Sequence, residues 1–273
     1  VKNSTGMTTP NDHTLYAHFN INSYTLTLTV SPEGKGSVEG DGSYKFDTSA
    51  TATASNTTKG YHFVRWTEDG KEVSTSASYT FNMPANNRTL TAVFEKDTYT
   101  VEIVKGGATA GGNAGIGTEM ETSKVFTLDD EITLVHTTNV GYTWAGWFGA
   151  DGKVLTLATG DKYTITAQDE NNATITLTAK WTENTYTINF DRNTPADASS
   201  KADVSGETAS MNMNYTDSKA LTANGFKLPG YKFVSWNTEK GGTGKTYANG
   251  ATVTKLSTDA DVTLYAIWDK LTY

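Results

Sequence analysis

The chain has no cysteine. Disulfides, cysteine-ligated zinc and thiol catalysis are therefore excluded outright. Histidine is scarce as well: His13, His18, His62 and His136 are the full set, and no pair has the H-x₃-H or HExxH spacing that would place two imidazoles on one metal. They read as strand or loop residues. No apolar run approaches the roughly 18 residues of a membrane span, so membrane insertion of this segment is not expected. No signal-peptide pattern is visible. Basic charge is short: 22 Lys and Arg stand against 30 Asp and Glu, giving a net charge of −8. Nucleic-acid binding needs clustered cations to neutralise phosphates, so that class is set aside.

Of the 273 residues, 11% are aromatic and 36% hydrophobic. That is too aromatic for a disordered chain, and the abundance of Thr and Tyr favours strands. Length alone allows about two domains.

Internal repetition overrides that prior. One ending occurs four times: TLYAHF (14–19), TLTAVF (89–94), TLTAKW (176–181) and TLYAIW (263–268). Each is followed by a short polar joint and a tyrosine, at Tyr24, Tyr99, Tyr186 and Tyr273. After the first three, a strand-like run begins: YTLTLTV, YTVEIV, YTINFD. A second signature falls mid-repeat: GYHFVRW (60–66), GYTWAGW (141–147) and GYKFVSW (230–236). We therefore expect three full repeats, at 24–94, 99–181 and 186–268. Residues 1–19 read as the tail of a preceding repeat and 269–273 as the start of a following one.

The repeat also decides what GGTGKT (241–246) is. Each signature Trp is followed by a turn: TEDGK (67–71), FGADGK (148–153), NTEKGGTGK (237–245). Gly70, Gly152 and Gly244 are thus expected at one hairpin position, where a tight turn needs positive φ. A Walker loop needs GxxxxGK[ST], a strand before it and a helix after it. Glu239 stands where its first glycine should be, and TYANGATVTK reads as turn and strand.

Strand alternation puts Leu, Ala and a large aromatic on one face of every ending: Leu15-Ala17-Phe19, Leu90-Ala92-Phe94, Leu177-Ala179-Trp181 and Leu264-Ala266-Trp268. The opposite face varies, so the constant face is expected in the core, its small Ala leaving room for a large neighbour. In the mid-repeat signature, Gly60, Tyr61, Phe63 and Trp66 match Gly141, Tyr142, Trp144 and Trp147, and Gly230, Tyr231, Phe233 and Trp236. Tyr and Phe share a face, but the Trp falls on the other. A bulge could reset the phase, or the strand could be buried on both sides. One Trp per repeat is expected to anchor a small core. The variable-face residues Tyr16, His18 and Tyr265 are the candidates for an exposed aromatic surface.

Weaker signals carry no chemistry. GGATAGGNAGIG (106–117) lacks a following amphipathic helix and reads as a loop, not a dinucleotide site. Asp129, Asp130, Glu131, Asp169 and Glu170 show no EF-hand spacing and read as a solvated face. No Ser/His/Asp constellation and no carboxylate pair stands out, so no catalytic residue, metal or cofactor is expected.

Residues 230–268, GYKFVSWNTEKGGTGKTYANGATVTKLSTDADVTLYAIW, resemble the B-repeat of internalin B, a family widespread in bacterial cell-surface proteins. Its signature is GYxFxGW, a turn, a tyrosine and a terminal TLYAxW. Ser235 replaces the glycine before Trp236, while repeat two keeps Gly146. Repeats one and two resemble the family's divergent branch, of which NMPANNRTLTAVF (82–94) is typical. The resemblance implies mainly β, small β-grasp-like domains with at most one short helix. It implies an exported, usually wall-anchored protein without catalysis, its anchor outside this chain.

The expected molecule is a monomeric, elongated rod of tandem repeats joined by strand-to-strand linkers of about five residues. Its expected role is stalk or spacer, with adhesion through weak multivalent contacts to an unknown host or cell-wall ligand. Flanking repeats of the same polypeptide are its other expected partners. The alternative is a carbohydrate- or host-protein-binding module using exposed aromatics.

Overall fold

The computed structural model describes residues 16–106, 112–198 and 205–272. His13, Leu15, the middle of the glycine run and Tyr273 lie outside the described residues. Among the described residues there are strands and turns and no helix.

Three sheets repeat one plan. In repeat one the leading strand Ser23–Ser31 lies parallel to the closing strand Arg88–Lys96, in register from Leu26 opposite Arg88 to Ser31 opposite Val93. The signature strand Tyr61–Glu68 runs antiparallel along the other side of the closing strand. Gly42–Lys45 and Lys71–Ser74 complete the two outer edges. Repeat three has the same five-strand order: Met211–Asn214, Thr185–Asp191, Val262–Lys270, Tyr231–Asn237, Thr246–Tyr247. Repeat two has four: Ser123–Thr127, Thr98–Gly106, Thr174–Glu183, Tyr142–Phe148. First and last strands paired in parallel at the centre, with the strands that lie between them in sequence placed outside, make a β-grasp-like sheet without its helix.

A small second sheet takes the helix's place against each main sheet. In repeat one it is Ser37–Glu39, Ser49–Ser55 and Ser78–Asn82. SATATAS buries every second residue, so Ala50, Ala52 and Ala54 join Leu26, Trp66, Leu90, Ala92 and Phe94 in one core. In repeat three Leu221 and Val253 pack with Ile188, Trp236, Leu264 and Ala266.

The phase problem of the signature strand is resolved by a bulge, at the same place in all three repeats. The register slips between Phe63 and Arg65, between Trp144 and Gly146, and between Phe233 and Ser235. One extra residue brings the Trp back to the face of the preceding aromatic. The Trp then stands directly opposite the closing-strand alanine: Trp66 opposite Ala92, Trp147 opposite Ala179, Trp236 opposite Ala266. The three indoles and three alanines are all buried. A β-carbon with nothing beyond it is what admits a nine-atom ring system at that separation.

Two expectations need correction. Tyr16, Ala17 and Phe19 lie outside any strand and are exposed. A closing strand holds between a leading and a signature strand, and residues 16–19 pair with neither. The linkers are also shorter than five residues: only Asp97 separates Arg88–Lys96 from Thr98–Gly106, and only Asn184 separates Thr174–Glu183 from Thr185–Asp191.

The chain forms two compact units. The first comprises repeat one together with Thr166–Ala173, the loop that precedes repeat two's closing strand. The second comprises the rest of repeat two and repeat three.

Candidate functional site

The signature glycines open the signature strand rather than filling the core. In Thr58–Tyr61, Asn139–Tyr142 and Leu228–Tyr231 the tyrosine amide donates to the carbonyl three residues back. The glycine sits third, at φ +82°, +79° and +80°, a backbone region that disfavours any β-carbon. Its carbonyl then accepts the amide of the residue that follows the closing strand: Asp97 on Gly60 at 2.8 Å, Asn184 on Gly141 at 2.9 Å, Leu271 on Gly230 at 2.8 Å. Each joint is thus hitched to the signature turn of its own repeat.

Side chains strengthen two of these hitches. His62 Nδ1 lies 2.7 Å from the buried carboxylate of Asp97, and the Thr143 hydroxyl donates to Asn184 Oδ1 at 2.7 Å. Asn184 also holds repeat three within the second unit, its Nδ2 donating to Thr258 O and its carbonyl accepting from the Tyr215 amide. The Tyr215 ring lies against Gly141, where a β-carbon would come within 2.2 Å of it. In the first unit the Lys59 ammonium pairs with Asp169 and holds its carboxyl below the usual carboxylate range.

GGTGKT is a closed loop. Asn237, the residue after the signature Trp, is 1% exposed. Its Oδ1 accepts from the amides of Glu239 and Gly244, and its Nδ2 faces Gly242 O, Gly244 O and Thr246 Oγ1 at 3.0–3.2 Å. The Thr238 hydroxyl accepts the Lys245 amide. Amides that would cradle a phosphate are bonded inward, and a strand, Thr246–Tyr247, follows where a phosphate loop needs a helix. Gly70 and Gly152 have φ of +75°, but the positive-φ glycine of this loop is Gly242, at +76°, not Gly244. The longer loop moves the reversal two residues earlier. Gly244 is needed instead for space: a β-carbon there would come within 2.2 Å of Thr238 Oγ1 and 2.9 Å of Asn237 Oδ1.

Of the other core candidates, Leu90, Phe94, Leu177, Trp181 and Leu264 are buried. Tyr61, Phe63, Tyr142, Trp144, Tyr231, Phe233 and Trp268 are only half-buried, at the rim, because the bulge and the strand end bring them toward the edge of the core. In repeat two His136 stacks on Trp144 at 3.7 Å between ring centres. In repeat three Tyr231, Phe233 and Trp268 line an open depression of about 460 Å³ with Phe226, Leu228 and Pro229. Tyr265 is covered by Lys240 at 5.4 Å, while Tyr16 and His18 are exposed.

The acidic residues do not converge. Asp130 accepts the Thr127 amide, Glu131 pairs with Lys162, and Asp169 pairs with Lys59. Among the described residues no group of three or more His, Asp or Glu could hold a metal ion. One ion pair is well made: Arg88 grips Glu68 with two parallel hydrogen bonds of 2.9 and 2.6 Å, and this bond holds the Glu68 carboxyl below its usual range. No helix among the described residues is long and apolar enough to cross a membrane.

Residues 26–98 match the divergent InlB B-repeat domain, and residues 186–267 match the Listeria-Bacteroides repeat domain. A protein of Evansella cellulosilytica named "Putative membrane protein" is 26% identical over 259 residues, 93% of this chain and 34% of its own length. A second from that organism, "Putative Gly-rich membrane protein", is 33% identical over 136 residues, 47% of this chain and 14% of its own length. The chain therefore spans only 34% and 14% of the length of these relatives. Among solved structures, the Bacillus anthracis TIE protein aligns over 91% of this chain and 51% of its own, at 10% identity and a TM-score of 0.37.

Proposed function

We propose, from the match of residues 26–98 and 186–267 to B-repeat-type repeat domains, that this chain is a non-catalytic spacer segment of a bacterial cell-surface protein. It comprises three small β domains, near 24–94, 99–181 and 186–268, and acts outside the cell as part of a stalk. The observation that carries this reading is the joint. One residue separates each closing strand from the next leading strand, and that residue is hydrogen-bonded to its own repeat's signature turn. A connection without slack suits a stiff tandem array, and repetition supplies length and multivalent weak adhesion. Three compact domains of this size would extend to about 100 Å. Small-angle scattering of the ligand-free monomer tests this. A maximum dimension near that value is expected, and a compact particle would overturn the stalk.

A second reading has one observation in its favour: the half-exposed Tyr231, Phe233 and Trp268 around the depression in repeat three. Aromatic faces of this kind stack on sugar rings. Glycans quenching tryptophan fluorescence, with loss of the effect in Trp268→Ala, would support it; an unchanged spectrum would remove it.

A further inference from the structure

The three repeats share a feature that spacing alone does not require. In each, the strand that receives the chain and the strand that releases it are neighbours, and they are parallel. Leu26–Ser31 pair with Arg88–Val93, Thr100–Gly106 with Thr174–Lys180, and Ile188–Asp191 with Val262–Tyr265. The ladders are six, seven and four residue pairs long.

Parallel pairing decides how tension is felt. The start of a leading strand and the end of its parallel closing strand lie at opposite ends of the ladder. Pulling them apart slides one strand along the other, so every hydrogen bond is strained together. In an antiparallel pair the pulled ends lie side by side, and bonds break one at a time. Parallel bonds are slanted and no stronger individually; the resistance comes from loading them at once.

Further observations reinforce the ladders. Each sits at the centre of its sheet, covered by strands on both sides, and carries core residues: Leu26, Leu90 and Ala92; Val101, Leu177 and Ala179; Ile188 and Leu264. Water is thereby kept from competing for the strained bonds. The loop before the closing strand also closes the leading end. Asn87 Oδ1 accepts the Thr25 amide, Asn171 Oδ1 the Thr98 amide and Asp261 Oδ1 the Thr187 amide, at 2.7–2.9 Å.

We propose that each repeat is a shear clamp that holds tension carried along the chain, and that the clamps yield in the order repeat three, repeat one, repeat two, following ladder length. This rests on the chain being a tandem segment loaded through its two ends. Failure of the clamp would leave a passive spacer, whereas a compact scattering particle would remove the stalk without changing any force.

Single-molecule pulling on the whole chain tests it. With handles at the two ends, three unfolding events are expected. The middle one should have the shortest length gain, by about 40 Å, because repeat one (23–96) has about a dozen fewer residues than the others (98–183, 185–270). Because no native cysteine competes, handles can be moved to Lys232→Cys and Lys270→Cys, two exposed positions at one end of the antiparallel signature and closing strands. That geometry should unfold repeat three at a severalfold lower force, since forced unfolding follows the barrier along the pulled direction. Equal forces in the two geometries would overturn the clamp. A long middle event would overturn the ranking. Asn87→Ala, an exposed change that leaves the core intact, should weaken only the short event; an unchanged force would remove the loop side chain from the clamp.

Discussion

Asn237→Ala tests the account of the glycine loop most directly. Asn237 is buried and makes five contacts of 2.9–3.2 Å. An amide NH₂ has two hydrogens, so its three acceptors share them, and four full hydrogen bonds is the better count. Each is worth about 1 kcal/mol net, and water can reach part of an exposed loop once the side chain is gone, so a loss of about 2–3 kcal/mol is expected. That is a large share of the stability of one small domain. Whole-chain melting would blur it across repeats. Native-state hydrogen exchange resolves it. Amides of Val262–Lys270 should exchange about 30- to 150-fold faster, while those of Arg88–Lys96 in the other unit stay unchanged. A change below about threefold would refute the view that Asn237 holds the loop, and would reopen the loop's amides as a binding surface.

Other substitutions probe separate parts of the argument. Ala266→Leu drives new carbons into the Trp236 ring opposite and should destabilise repeat three by about 1–3 kcal/mol, whereas Tyr265→Leu on the other face should cost less than about 1 kcal/mol, both read by hydrogen exchange of the Val262–Lys270 amides. Trp236→Ala should cost about 3–5 kcal/mol and leave repeat three open to protease. Gly230→Ala meets only backbone strain, about 1 kcal/mol, because nothing lies within 4 Å of its β-carbon; Gly141→Ala should cost clearly more, since it also meets Tyr215. Folding lowers the Glu68 pKa through Arg88, so this pair's contribution, about 1 kcal/mol, is present in full above the ordinary glutamate range and is lost as pH falls through the lowered value. Glu68→Gln should therefore lower the exchange protection of the Arg88–Lys96 amides at pH 7 and have little effect on it at pH 2–3.

The strand class and the buried face of the closing strands were legible in the sequence. They depend on periodicity: a residue's neighbours two positions away share its face, and a motif that recurs can be compared with itself. Leu264 and Ala266 could be placed inward for that reason, and GGTGKT could be separated from a phosphate loop by the strand-like residues after it. The order of strands within each sheet was not legible. Parallel pairing of Ser23–Ser31 with Arg88–Lys96 brings together residues some sixty positions apart, and no local pattern encodes which distant strand is the neighbour. The bulge after Phe63, Trp144 and Phe233 is a choice between two registers that one strand alone leaves open, and the cross-strand alanine opposite each Trp decides it. Gly242 rather than Gly244 takes the left-handed position because Asn237, buried by tertiary packing, fixes where the loop must turn. Local residue patterns thus determined what each segment is. Only the tertiary structure determined which segments meet, because hydrogen-bond partners and side-chain volumes are satisfied between strands and not along them.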